Sequence, residues 1–405
     1  MITRTHKIKV FIFTIIFTLM FTTPLFAESI NTIDLETAKE LAIEKSRTFQ
    51  RIELATNKAK VYSNQADKAY KDVLYNSYNI LLYEYMILKD ISSSGDSSVN
   101  GRIAQLEAQM NVLKGTDTSN SVANLNDSAR DAENAYNDAV VAKNEFEMQL
   151  KYNIEQLYTN IIAQINNLSL LQKNYTLKNT QLHIARLKRD LGMVTNSDID
   201  TIAVEVSDLN TQNKDLKTTI NILKIQLNSM LGRGYTEPLN LVPFEIKVDG
   251  LVISFNELHS KLNQNYNKIQ QIERDIKNKK DDLYDENIKD DDNKRDIVKL
   301  EIKEKELSLL DEKMTLETTT HDLLNKYTSK LKTYQLTDIT YNTAKQSYEW
   351  DKKKYELGLI SKLQLDGAEL AYIEAQNKRS LAGYNFSIVK HELALAEKGI
   401  LINSI

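Results

Sequence analysis

Residues 187–206 read LKRDLGMVTNSDIDTIAVEV, and residues 353–372 read KKYELGLISKLQLDGAELAY. Aligned without gaps at an offset of 166, Leu191, Gly192 and Asp200 fall on the identical Leu357, Gly358 and Asp366. Met193, Val194 and Ile199 fall on Leu359, Ile360 and Leu365. In both stretches a glycine, which accepts left-handed backbone without steric cost, ends a helix. Thr195-x-x-Asp198 and Ser361-x-x-Gln364 then follow as capping boxes, in which a hydroxyl satisfies the new helix's N–H groups and the third residue on returns the bond. Two sharp helix-to-helix reversals are therefore expected, each with an apolar pair at its apex. An ordinary antiparallel turn accounts for the reversals, while apolar residues at both tips suggest a docking surface.

A second repeated block lies outward from these turns. TIDLETAKELAIEKSRTFQRIELATNKAK, from Thr32, aligns with VISFNELHSKLNQNYNKIQQIERDIKNKK, from Val252, at an offset of 220. It pairs Leu35 with Phe255, Ala38 with Leu258, Phe49 with Ile269 and Glu53 with Glu273. Two blocks repeated in the same order indicate a tandem duplication. The unequal offsets place an insertion in the first half, near 91–121, where ISSSGDSSVNG and KGTDTSNS lie. Pro238, Pro243, Gly232, Gly234 and Gly250 form the main breaker cluster and divide the halves. The expected organisation is a signal peptide over 1–27, a first helical hairpin repeat over 28–232, a linker over 233–253 and a second repeat over 254–405.

Between the blocks the apolar period is helical. Ile154, Leu157, Ile161, Leu168, Leu171, Tyr175, Leu182 and Ala185 follow steps of three and four, with Gln164 and Lys178 as polar exceptions. In the second half Tyr327, Tyr334, Tyr341, Tyr348 and Tyr355 recur every seven residues. Such a stripe could serve as an aromatic ladder for sugars, but heptad spacing assigns it to an interhelical seam. Helices are expected at about 34–90, 102–113, 123–190, 196–231, 254–289, 295–356 and 361–398. The fold class is all-α, with two tandem long hairpins. In each, a long helix runs beside two stacked shorter ones, and the whole oligomerises into an α-barrel.

Composition agrees with long helices, since Gly and Pro contribute only 11 and 3 of 405 residues. Cysteine is absent, which removes disulfides, thiolate metal sites and cysteine nucleophiles together. Residues 1–27 carry Arg4, Lys7 and Lys9 ahead of an apolar run from Val10 to about Phe21, then Pro24 and a small residue, Ala27, which predicts secretion with cleavage after Ala27. The full chain has a net charge of −4, and losing those three cations makes it more acidic, a poor basis for nucleic-acid binding.

No catalytic pattern is present. His6, His183, His259, His321 and His391 are dispersed, with no H-E-x-x-H, G-x-S-x-G or phosphate-binding glycine loop. The acidic cluster from Asp281 to Asp292 lacks the glycine and terminal glutamate of a calcium loop and reads as a solvated turn. No enzyme activity, cofactor or metal site is expected.

In order and spacing, the opening TIDLETAKELAIEKS, the tips RDLGMVTNSDID and YELGLISKLQLD, and LKIQLNSMLG before the linker resemble the TolC-type outer-membrane efflux proteins. These are exit ducts of multidrug efflux pumps and type I secretion systems. The resemblance implies a homotrimeric α-helical tube that works with a periplasmic adaptor and an inner-membrane pump, in the cell envelope outside the cytoplasm. It places Leu191, Gly192, Met193, Val194, Leu357, Gly358, Leu359 and Ile360 at adaptor-docking tips. It makes Asp198, Asp200 and Asp366 candidate acids of the aperture, with Gln364 standing where the second tip of such relatives has an acid. The family builds a β-barrel from strands at the hairpin tops, whereas neither top here offers the roughly 9 to 11 alternating residues a membrane strand needs. The alternative reading is an exported coiled-coil scaffold or regulator without conduction.

Overall fold

A computed structural model describes residues 32–91, 97–114, 122–244, 246, 248, 253–284, 288 and 290–402. The expected signal peptide lies outside these residues, as do 92–96 and 115–121 of the expected insertion. The first half consists of β1 (Thr32–Ile33), α1 (Leu35–Lys45), α2 (Arg47–Val73), a π-helical turn (Leu74–Tyr78), α3 (Asn79–Ile91), α4 (Ser97–Lys114), α5 (Val122–Asp190) and α6 (Asn196–Met230). After β2 (Asn240–Leu241) come α7 (Phe255–Asn265), α8 (Asn267–Asp282), α9 (Asp292–Glu356) and α10 (Lys362–Ala396).

The two long helices are α5, with 69 residues, and α9, with 65. Each extends about 100 Å at roughly 1.5 Å per residue. Helix α5 packs along α2 toward one end and along α6 toward the other, and α9 does the same with α8 and α10. The stacked-pair hairpin expected from the sequence is thus formed twice. The halves meet where α10 lies against α5.

The core follows the duplication. Ala38, Ala42, Ile161 and Leu227 are buried in the first cluster. Their repeat partners Leu258, Leu262, Tyr327 and Leu393 are buried in the second. Among the described residues, β-structure is limited to the parallel pairing of Thr32 with Asn240 and Ile33 with Leu241. The buried Tyr158 pins this pair. Its hydroxyl accepts from Val242 N–H at 2.9 Å and lies within donating distance of the Ile33 and Val242 carbonyls, at 2.9 and 2.8 Å.

Two expected helices are broken. The helix expected over 34–90 is interrupted at Ser46, whose backbone turns extended (ψ 108°) while its hydroxyl accepts from Phe49 N–H at 3.1 Å. The helix expected over 254–289 breaks at Tyr266 (ψ 114°) and ends at Asp282. Ser46 and Tyr266 occupy the same position of the repeat, at an offset of 220. The break is therefore part of the repeat and not a local accident.

Four of the five tyrosines of the stripe form a seam, and Tyr355 is exposed. Tyr327 and Tyr334 pack on Phe386, at ring distances of 5.3 and 6.4 Å, and Tyr341 and Tyr348 enclose Tyr372, at 5.7 and 5.5 Å. Between them Arg379 lies over the rings of Tyr334 and Tyr341 and binds Asp338 at 2.5 Å. Tyr372, Arg379 and Phe386 are themselves seven apart, so the two helices interlock as facing heptad rows.

Candidate docking site at the hairpin tips

Both tips are built by the backbone pattern their glycines permit. Gly192 has φ +73° and Gly358 φ +72°. Met193 N–H reaches the Lys188 carbonyl at 2.9 Å and Gly192 N–H the Arg189 carbonyl at 2.7 Å, which is a Schellman ending. Leu359 and Gly358 repeat it on Lys354 and Tyr355, at 2.8 and 2.9 Å. Both expected capping boxes are present, Thr195 with Asp198 and Ser361 with Gln364.

The tip side chains are turned to solvent. Leu191 is 75% exposed and Leu357 74%, with Met193 at 68% and Leu359 at 69%. Val194 and Ile360 are half-buried. Both tips lie at the same end of the molecule, because Thr176 and Thr180 of α5 share a cavity of about 310 Å³ with Asp366 and Glu369 of α10. From there each helix runs a few further turns to its glycine. Lys173, also in the lining, forms an ion pair with Glu369.

The three candidate aperture acids have different surroundings. Asp198 is held by its own cap, accepting from Thr195 N–H at 2.8 Å and from the Thr195 hydroxyl at 2.7 Å, and these bonds keep its carboxyl below the usual range. Asp366 pairs with Lys362 at 2.7 Å. Asp200 is exposed. The structure thus gives two of the three a local structural partner.

A second polar constellation, away from the tips, joins the halves. Glu155 of α5 is 4% exposed, with Lys39 of α1 at 2.9 Å and His391 Nδ1 of α10 at 2.8 Å. Burial opposes the charged form of Glu155, yet the His391 hydrogen bond and the Lys39 charge hold its carboxyl below the usual value. Tyr152 meets the His391 ring edge-on at 5.9 Å. Its phenol is pushed up to about 12 by burial and by Glu392. Glu392 is in turn bound by Lys326 at 2.5 Å. Sequence reading missed this network, since Lys39, Glu155 and His391 are far apart in the chain and fit no motif. The heptad pattern gave no signal either, because Glu155 directly follows Ile154 and falls off the apolar seam of that run. Among the described residues no group of three metal-ligating side chains converges.

No protein-family model matches this chain, and no curated protein matches it in sequence. Solved structures do match in fold. CmeC, an outer-membrane channel of Campylobacter jejuni, has a TM-score of 0.53 at 12% identity, over 91% of this chain and 86% of its own. The outer-membrane channel OprN has a TM-score of 0.54 at 9% identity, over 90% of both chains. A membrane protein from Pseudomonas aeruginosa gives 0.53 at 10% identity, over 88% of this chain and 93% of that one. In class, the chain is a long-helix protein with the duplicated-hairpin fold of outer-membrane channels. That is the all-α, TolC-type fold which the resemblance implied.

Proposed function

We propose that the protein is the extracytoplasmic exit duct of a tripartite efflux or type I secretion-like system. In this reading the division into 28–232, 233–253 and 254–405 reflects two repeats, and three copies close a tube. The paired tips face a periplasmic adaptor and, through it, an inner-membrane pump, without enzymatic chemistry. The observation that carries it is the placing of two glycine-turned, apolar-tipped reversals at one end of a channel fold. No helix among the described residues is long and apolar enough to cross a membrane.

The test uses the two most exposed apex residues that follow the glycines. Met193→Asp combined with Leu359→Asp should leave helicity and oligomeric state unchanged while abolishing adaptor cross-linking and export. Wild-type cross-linking and export in this variant would reduce the tips to simple turns. One observation favours the second reading, an exported scaffold without conduction. The top of the first hairpin carries α4, a helix, at the place where the resemblance calls for barrel strands.

A further inference from the structure

The break between α1 and α2 opens a cavity of about 600 Å³, within the roughly 300–1,000 Å³ of small-molecule sites. Phe146 and Leu150 of α5 and Met230 of α6 form its apolar floor. Lys45, Arg47 and Arg233 line it, and no carboxylate does. Arg233 is tied to Glu237 at 3.2 Å and Lys45 to Glu44 at 2.5 Å, and neither acid is part of the lining.

The duplication supplies an internal comparison. At the matching break of the second half stands Tyr266, which packs against the second core with the Glu312 carboxylate nearby. Lys268 closes over Glu312 at 2.5 Å. In the first half the three corresponding positions hold Ser46, Thr48 and Phe146. The tyrosine is reduced to a hydroxymethyl group, which is committed to capping Phe49 N–H. The acid has become a phenyl ring, and cations now stand at Lys45 and Arg47. One copy of the junction is filled by the chain's own phenol beside an acid, while the other is open, apolar-floored and cationic.

We propose that this open junction binds a small aryl carboxylate, its ring on Phe146, Leu150 and Met230 and its carboxylate toward Lys45 and Arg47. Ring and charge answer separate features of the lining, apolar area for the one and charge complementarity for the other. The inference does not depend on the duct reading.

The test titrates the purified full-length protein with 3-(4-hydroxyphenyl)propionate, followed by saturation-transfer NMR and calorimetry. Saturable binding is expected, with a dissociation constant below about 5 mM. The uncharged primary amide of the same compound should bind about tenfold or more weaker, as should the acid to Arg47→Glu. Ser46→Tyr, which restores the filling of the second copy, should abolish binding, with circular dichroism confirming the fold of both variants. If Ser46→Tyr does not fold, the amide and Arg47→Glu still decide. Absence of saturation at about 10 mM, equal affinity for acid and amide, or unchanged binding in Arg47→Glu would overturn the proposal.

Discussion

Glu155 sits where the two hairpins meet, and its energetics follow from its partners. A buried carboxylate is tolerated only when paired, and here a lysine from α1 and a histidine from α10 do the pairing. Glu155→Leu would leave the largely buried Lys39 with Glu36 alone and His391 without its carboxylate, and should cost about 1–3 kcal/mol in urea unfolding. In the folded state His391 and Lys39 hold the carboxyl below the usual glutamate value. Its stabilisation is therefore complete above about pH 4.5 and is lost as the pH falls through the lower, folded value. Glu155→Gln should flatten this acid limb of the stability profile, whereas a limb unchanged in Glu155→Gln would assign acid sensitivity to other groups. None of this was legible in sequence, because it depends on which turn of α10 lies against which turn of α5. The tips were legible for the opposite reason: Gly192, Thr195 and Asp198 act on one another within six residues.

At the scale of elements, four helices among the described residues end on a left-handed glycine: Gly192, Gly232, Gly358 and Gly399. All four have φ between +65° and +79°, yet the space around them differs. A Cβ at Gly192 or Gly358 would meet nothing within 4 Å, so Gly192→Ala or Gly358→Ala should cost only the conformational penalty, about 1–2 kcal/mol. A Cβ at Gly399 would meet the backbone carbonyl oxygen of Asn265 at 2.2 Å, at the second-half break. Gly399→Ala should therefore destabilise by more than about 3 kcal/mol in thermal unfolding. Equal effects at Gly192 and Gly399 would show that the break is not held against the end of α10. The same contrast explains which boundaries the sequence revealed. The start of α6 and the end of α5 carry a glycine and a capping box, and the helix expected over 123–190 is α5, Val122–Asp190. The breaks at Ser46 and Tyr266 carry neither glycine nor proline. Ser46 offers a cap and Tyr266 none, and α1 and α7 pack on the cores ahead of each break, so helical periodicity continues across both.

On the scale of the whole molecule, the two hairpins leave long apolar rows uncovered. Leu300, Leu307 and Met314 on α9 are seven apart and 70%, 52% and 60% exposed, with Leu310 also exposed. A heptad row of this kind is what a neighbouring helix covers, and copies of the same chain supply such helices in a closed ring. Leu300→Asp combined with Leu307→Asp should dissociate the assembly on sedimentation while leaving the helical circular dichroism of each chain intact. Persistence of the wild-type oligomer would place the subunit contacts elsewhere. The proposed duct role implies a tube closed by more than one copy of the chain. Electron cryomicroscopy of the protein lacking residues 1–27 tests this most directly. The account predicts a threefold tube with the Gly192 and Gly358 tips gathered at one end, whereas a stable monomer at micromolar concentration would contradict it.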